Sequence, residues 1–160
     1  MKTFETQTPR FEARVRESFA RQRLMMTIGA RISRVAPGEV AIELPFHDDL
    51  TQQHGYLHAG IVTSIADTAC GYAAFSLMPE DADVLSVEYK INLLSPAHGE
   101  SFIARARVKR AGRNLTVCEA EVFAVNAGQE KLIAAMLATM MAIREQNSLR
   151  GIGGNIELPG

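Results

Sequence analysis

The sequence predicts an α+β domain in which an antiparallel sheet wraps one long central helix. The apolar run from Ala59 to Met78 contains a single charged residue, Asp67, and has no continuous polar face. This pattern is typical of a largely buried helix. Four strand-like segments follow it, joined by short turns, and short turns connect antiparallel strands. A hairpin and a further helix precede it.

The overall composition is that of an ordinary globular protein. The 160 residues amount to about one domain, with 47% hydrophobic and 22% charged residues. The net charge of −1 gives no bulk reason to expect nucleic acid, and a charge within the longest apolar run argues against a membrane span. The N-terminus has no apolar signal-peptide stretch, and Cys70 and Cys118 lack a disulfide framework or metal-ligand spacing. We therefore expect a cytoplasmic protein without a metal, its two cysteines small and buried.

The first predicted element is a helix from Pro9 to Met26. Thr8 is the expected N-cap, Pro9 occupies the first helical position and Gly29 ends the helix. Apolar side chains recur along it at intervals near four or seven: Phe11, Val15, Phe19 and Met26. We interpret the arginines between them as a solvated face and expect the helix to pack on the domain.

The strands are predicted from alternation and turn residues. Segments 31–35 and 40–44 flank Pro37-Gly38 and predict a hairpin, in which Ile32 and Val35 do not share one face, so a bulge fits there. Further strands are expected at 84–94, 102–110, 115–125 and 131–143, the last of them central because it is apolar on both sides. In the strand at 84–94, one side is apolar: Leu85, Val87, Tyr89, Ile91 and Leu93. The tail from residue 144 is predicted to be extended or mobile.

Asp67 is the candidate catalytic group. At about 100° per residue, it falls on a face of small residues, with Gly60, Thr63, Gly71 and Ala74. The bulky stripe lies opposite: Ile61, Ile65, Tyr72 and Phe75. Asp67 is either a solvated or ion-paired acid, or a general base or nucleophile tuned by partial burial. The lack of other charges on the helix favours the second interpretation.

The start of the same helix offers a second chemical element. The first N–H groups, at Ala59 and Gly60, lack intrahelical partners and form a candidate oxyanion hole for an acyl group. Asp67 lies eight residues beyond Ala59, roughly 12 Å along the axis. One helix cannot present both groups to one carbonyl carbon. A complete site therefore combines Ala59 of one chain with Asp67 of another, and a two-fold dimer makes two such sites.

Two segments resemble the signature of hotdog-fold acyl-CoA thioesterases of the phenylacetate-pathway (PaaI-like) type. The first contains Gly55, Leu57, His58, Gly60, Asp67 and Ala69. The second runs through 85–97, 99–100 and 109–113, so the likeness covers about residues 28–143. It implies one hotdog domain over 1–160, with 1–27 as an added helix and 144–160 as a tail. It also implies hydrolysis of an acyl-CoA without a cofactor, by a homodimer with a continuous sheet that often pairs into a homotetramer.

The resemblance also implies individual roles. Asp67 matches the family's catalytic carboxylate, and Ala59 matches a glycine whose N–H binds the thioester oxygen. Gln52 lies where relatives hold the substrate or the water, and Ser86 matches a hydroxyl near the catalytic water. His58 is interpreted as shaping the helix start rather than reacting directly. One turn matches a position near the coenzyme A phosphates: Arg110, Gly112 and Arg113.

Two other functions stay open. Hydratase or dehydratase chemistry on acyl thioesters pairs a histidine with an acid, and His54 or His58 with Asp67 is a candidate pair. A non-catalytic acyl-CoA-binding protein is the other alternative. The sequence contains no DNA-binding segment or basic tail, which argues against a transcriptional form of such a sensor.

Overall fold

The computed structural model describes residues 4–144, so the predicted tail beyond residue 144 lies outside the described residues. These described residues form three helices and six strands, in chain order α1 (Phe11–Phe19), α2 (Arg23–Ile28), β1 (Arg31–Ala36), β2 (Glu39–Pro45), α3 (Ala59–Phe75), β3 (Ala82–Leu93), β4 (Ser101–Ala111), β5 (Leu115–Asn126) and β6 (Gln129–Arg144). A single 3-10 turn, Asp48–Leu50, lies between β2 and α3.

The six strands form one antiparallel sheet in the order β1-β2-β4-β5-β6-β3, and α3 packs against its strands. The predicted fold class is confirmed. Side chains of α3 and of the inner sheet face make the core, with Ile65, Ala69 and Phe102 fully buried. Cys70 and Cys118 are free and buried as expected, and burial raises the pKa of Cys118 to about 12.

The strand order corrects the expectation that consecutive strands are neighbours. The turn after β3 does not join paired strands, because β3 pairs with β6 while β4 lies between β2 and β5. The apolar β6 is an interior strand with a partner on each side, but it lies beside the edge rather than at the centre. The connection between β3 and β4 instead runs past the start of α3, where Ala97 C=O accepts a hydrogen bond from Leu57 N–H.

The predicted single N-terminal helix is two helices. Val15 and Met25 are both fully buried, although ten residues of continuous helix would place them about 80° apart. The break at residues 20–22 lets both pack inward, and Met26 of the predicted apolar stripe is exposed instead. The helix begins at Phe11 rather than Pro9, with the Thr8 hydroxyl accepting from Arg10 N–H.

Two local expectations hold. Gly29 ends α2 in the left-handed conformation at φ 75°, a conformation that a glycine adopts without a Cβ penalty. The β1–β2 hairpin forms around Pro37-Gly38, with an irregular register between Ile32 and Arg34 where a bulge was expected. In the described range 4–144, no helix is both long and apolar enough to span a bilayer.

Candidate active site

Asp67 lies on the sparsely covered side of α3. It is partly exposed together with Gly71 and Thr63, as the helical projection indicates. Ala74 is the exception, since it is fully buried instead of sharing that face. Much of the rest of α3 is covered by the sheet, so the carboxylate lies on a side of the helix that a ligand or a second chain can reach.

Ser86 is the partner of Asp67. Its Oγ donates a 2.7 Å hydrogen bond to Asp67 Oδ1, and Met140 Sδ lies 3.4 Å from the same hydroxyl. A bulge between Ser86 and Glu88 interrupts the alternation of β3. The apolar residues predicted on one side are therefore split between both faces, and Ser86 points to the inner face toward α3.

The surroundings of Asp67 make its carboxylate more basic. Burial raises the pKa of Asp67 above the ordinary carboxyl value, and the hydrogen bond from Ser86 lowers it by a smaller amount. The result is a partly desolvated carboxylate that binds a proton more readily than an exposed aspartate. A group with these properties suits proton abstraction from water or attack on an acyl carbon.

A cavity of about 490 Å³ opens beside this carboxylate. Its walls near Asp67 come from α3 and β3 and include Gly71, Phe75 and Val84. Further lining comes from β6, through Ile143, and from the N-terminal segment, through Ser18, Arg21 and Gln22, which the sequence did not indicate as site residues. We call this cavity with Asp67 and Ser86 the carboxylate half-site.

The start of α3 is capped by His58. Its Nδ1 accepts a 2.9 Å hydrogen bond from Gly60 N–H, so His58 shapes the helix start and the Gly60 donor is already used. A Cβ at Gly60 would lie 3.0 Å from that same nitrogen, so the imidazole packs closely over this position. Among the described residues, nothing accepts a hydrogen bond from the Ala59 N–H, and Ala59 is exposed.

A second cavity, of about 410 Å³, lies beside Ala59. Its lining includes Gln52, Tyr56 and Leu94. The loop before α3 is closed by a bridge between Thr51 and Leu57, and within it the Gln52 side chain accepts a hydrogen bond from the His54 N–H. We call this cavity with Ala59 and Gln52 the N–H half-site.

The two half-sites of one chain are separate. The cavity at Asp67 and the cavity at Ala59 share no lining residue, in keeping with the roughly 12 Å along the helix axis. Neither His54 nor His58 is hydrogen-bonded to Asp67, whose partner is Ser86. Within residues 4–144, no group of three potential metal ligands converges.

The predicted phosphate-binding turn joins β4 to β5. Gly112 is required there, because a Cβ would lie 2.5 Å from Leu115 C=O. In the described structure, neither Arg110 nor Arg113 has a salt bridge, whereas most arginines of the outer sheet face are paired with glutamates. The register places Leu115 opposite Met141, which is opposite Leu85, so this turn lies at the Ser86 end of the sheet.

Comparisons with known proteins identify the family of this fold. Residues 54–131 match the family model described as Thioesterase superfamily. Human acyl-coenzyme A thioesterase 13 is 30% identical over 100 residues, which are 62% of this chain and 69% of that protein. The crystal structure of a thioesterase family protein from Silicibacter pomeroyi is 54% identical with a TM-score of 0.83, and the match covers 84% of this chain and 98% of that one.

A more distant match shows the fold alone. The structure of the Escherichia coli PaaI protein, from the phenylacetic acid degradation operon, has a TM-score of 0.76 at 21% identity. The match covers 86% of this chain and 96% of that protein. Together, the family model, the human relative and the hotdog arrangement of sheet and helix establish that this chain belongs to the thioesterase superfamily.

Proposed function

We propose that this protein is an acyl-CoA thioesterase that hydrolyses the thioester to a free acid and coenzyme A. The observation that carries the proposal is the Asp67–Ser86 pair, a partly buried carboxylate with a 2.7 Å hydrogen bond at the edge of a cavity large enough for an acyl group. The family supports thioester hydrolysis in general, and the human relative is named an acyl-coenzyme A thioesterase.

The chemistry follows from the charge on Asp67. Ser86 holds Oδ1 and leaves the second carboxylate oxygen for catalysis. That oxygen either takes a proton from an attacking water, or attacks the thioester carbon to form an acyl-aspartyl anhydride that water then hydrolyses to the free acid. Both routes need the ionised form. Negative charge then develops on the thioester oxygen, where the Ala59 N–H donates a hydrogen bond at the positive end of the helix dipole. The thiolate of coenzyme A leaves, and no cofactor takes part.

The complete site needs two chains. We propose that the carboxylate half-site of one subunit meets the N–H half-site of its partner in a two-fold homodimer. The edge strand β3 supports this arrangement, since within residues 4–144 one of its sides has no strand partner. It also exposes large apolar side chains such as Val87 at 52% and Leu93 at 55%. An exposed apolar edge strand invites pairing with another strand. Native mass spectrometry shows whether such dimers pair again into tetramers.

Coenzyme A needs a cationic surface for its phosphates. We assign this role to Arg110 and Arg113, which flank the tight turn at Gly112 and have no salt bridge to any residue that the structure describes. Arginine binds phosphate through paired N–H donors. Gln52 completes the proposed site by holding the acyl group or the water beside Ala59.

The first test is the variant Asp67→Asn. We expect thiol release from acyl-CoA esters to fall at least about a thousandfold, because the amide cannot act as base or nucleophile. Folding is expected to be preserved, since the buried negative charge costs free energy that the amide avoids. Thiol release is followed with a chromogenic thiol reagent and Tm by calorimetry. Hydrolysis close to the wild-type rate would contradict the assignment.

The alternatives have different readouts. A hydratase consumes the enoyl absorbance of crotonyl-CoA without releasing thiol. A binding module shows tight binding of acyl-CoA with no turnover. Within one chain, neither His54 nor His58 lines the cavity at Asp67 or is hydrogen-bonded to it, so the histidine–acid pair that hydration needs does not form there.

A further inference from the structure

The far end of the carboxylate half-site is polar, and it is built by a part of the chain that precedes the hairpin. Ser18 lies near the end of α1, and Arg21 and Gln22 follow in the break before α2. All three line the cavity that contains Asp67, together with Asp83 at the start of β3. An acyl pocket for plain hydrocarbon chains needs no such wall, since polar groups lose their water when an apolar chain covers them.

Ideal helix and strand geometry give two estimates of how far this polar end lies from the reacting carboxylate, measured along each element. Along α3, Tyr72 lies five residues beyond Asp67, about 7.5 Å at 1.5 Å per residue. Along β3, Asp83 precedes Ser86 by three residues, about 10 Å at 3.3 Å per residue. The two elements run in opposite directions, so both estimates describe the same direction away from the Asp67–Ser86 pair. An acyl group that fills this distance is of medium length.

Tyr72 is rigidly held at the polar end. Its ring makes edge-to-face contacts with Phe19 at 5.9 Å and Phe75 at 6.1 Å. Its hydroxyl is hydrogen-bonded to Ser18 Oγ at 3.3 Å, and burial raises the pKa of Tyr72, which keeps the phenol neutral. The two hydroxyls together offer both donors and acceptors within a wall that the aromatic contacts fix in place.

The charges at this end offset each other. Arg21 lowers the pKa of Tyr72 and Asp83 raises it, so the cation and the anion have opposite effects on the same hydroxyl. A charged end group would be attracted by one of these side chains and repelled by the other, so it would gain little to offset the loss of its own water. The wall therefore matches a neutral hydrogen-bonding group better than a charged one.

We propose that the N-terminal segment is a specificity element, in which Ser18 and Tyr72 select medium-length acyl groups that carry a neutral hydrogen-bonding group at the far end. This inference rests on the proposed thioesterase activity and adds a substrate class to it. The hydroxyls bind the far end of the acyl group while Asp67 and Ser86 act on the thioester. Arg14 keeps the segment in position through hydrogen bonds to Met78 C=O and Ala82 C=O.

The test compares two esters of equal chain length, ω-hydroxyoctanoyl-CoA and octanoyl-CoA, by kcat/KM for thiol release. We expect the wild type to favour the hydroxylated ester by roughly tenfold, because the octanoyl chain displaces water from the polar wall without hydrogen-bonding to it. Tyr72→Phe and Ser18→Ala each reduce this ratio, and Ser18→Leu reverses it. Arg16→Ala, an exposed change on α1 outside the cavity, keeps the wild-type ratio.

The outcomes separate this inference from the activity on which it rests. A wild-type enzyme that hydrolyses both esters but favours octanoyl-CoA, or a ratio that the Ser18 variants leave unchanged, overturns the inference and leaves the thioesterase assignment intact. If the protein hydrolyses neither of these esters nor any other acyl-CoA, the proposed function itself is contradicted. Titration calorimetry measures the same preference without turnover when the Asp67→Asn variant binds thioether analogues of the two esters, which cannot be hydrolysed. Equal affinities for the two analogues overturn the inference.

Discussion

At the scale of single residues, the hydrogen bond between Ser86 and Asp67 links geometry to pH dependence. Catalysis needs an ionised Asp67, and burial raises the pKa of this group. In the pH profile of kcat/KM, we therefore expect activity to be lost on the acid side (the acid limb) at a pH above the ordinary carboxyl pKa of about 3.9. Ser86→Ala removes the bond that lowers the pKa, and the limb then moves to higher pH. Ser33→Ala, which removes a hydroxyl bonded to Ala41 C=O far from the site, leaves the limb in place. A limb unmoved by Ser86→Ala would contradict this coupling.

Sequence reasoning located Asp67 and its face but not all of its neighbours. Asp67, Gly60 and Gly71 share a face because a regular helix repeats every 3.6 residues, so projection alone places them correctly. The position of Ser86 toward Asp67 depends on a bulge in β3, which shifts the alternation by one residue and leaves no mark in the pattern of apolar residues. The roles of all these residues in catalysis stay predictions until the variants are measured.

At the scale of elements, the start of α3 allows one backbone N–H donor to be removed by a single substitution. Proline at the first helical position removes an N–H without disturbing a helix, and the preceding residue must be extended. His58 already has φ −62° and ψ 137°, so Ala59→Pro deletes only the free N–H. We expect kcat to fall roughly a hundred- to a thousandfold with Tm unchanged.

The matched control is Ala59→Gly. It keeps the N–H and restores the glycine that the family motif has at this position, so its kcat stays near the wild-type value. Full activity of Ala59→Pro would show that this N–H does not bind the thioester oxygen.

Arg14 is one of the side chains that hold the N-terminal helix on the domain. Arg14 donates hydrogen bonds to Met78 C=O at 3.1 Å and Ala82 C=O at 3.0 Å, and its guanidinium lies 4.4 Å from the centre of the Phe75 ring. We expect Arg14→Ala to lower the free energy of unfolding by about 1–3 kcal/mol, because two carbonyls lose a charged donor. Arg16→Ala breaks only an exposed pair with Glu12 and costs no more than about 0.5 kcal/mol. Urea denaturation measures both, and equal losses would contradict the role of Arg14.

The elements themselves were largely predictable, and their arrangement was less so. Strand alternation and the turn at Pro37-Gly38 placed the hairpin correctly, since local sequence decides both. The pairing of β3 with β6 depends on contacts between segments about fifty residues apart, which periodicity does not record. The break after α1 was not predicted for a related reason. Met25 rather than Met26 is buried, and only packing against the rest of the domain decides which methionine faces inward.

At the scale of the whole molecule, the separation of the two half-sites has a consequence that mixing experiments measure. If each active site joins Asp67 of one subunit to Ala59 of its partner, then Asp67→Asn and Ala59→Pro are each inactive as homodimers. A heterodimer of the two variants has one site that combines the intact Asp67 of one chain with the intact Ala59 N–H of the other. Its second site carries both substitutions and is inactive.

We therefore expect activity to return when the two inactive variants are co-expressed. Random assortment makes half of the dimers heterodimers with one active site in two, so specific activity should reach roughly one quarter of the wild-type value. Differently tagged subunits allow the heterodimer to be purified, and it should then show about half. The matched control mixes Asp67→Asn with Ala59→Gly. The same random assortment then gives more intact sites, so specific activity should be higher than in the first mixture. A site made within one chain predicts no recovery from the first mixture, because both sites of that heterodimer would then contain a substitution.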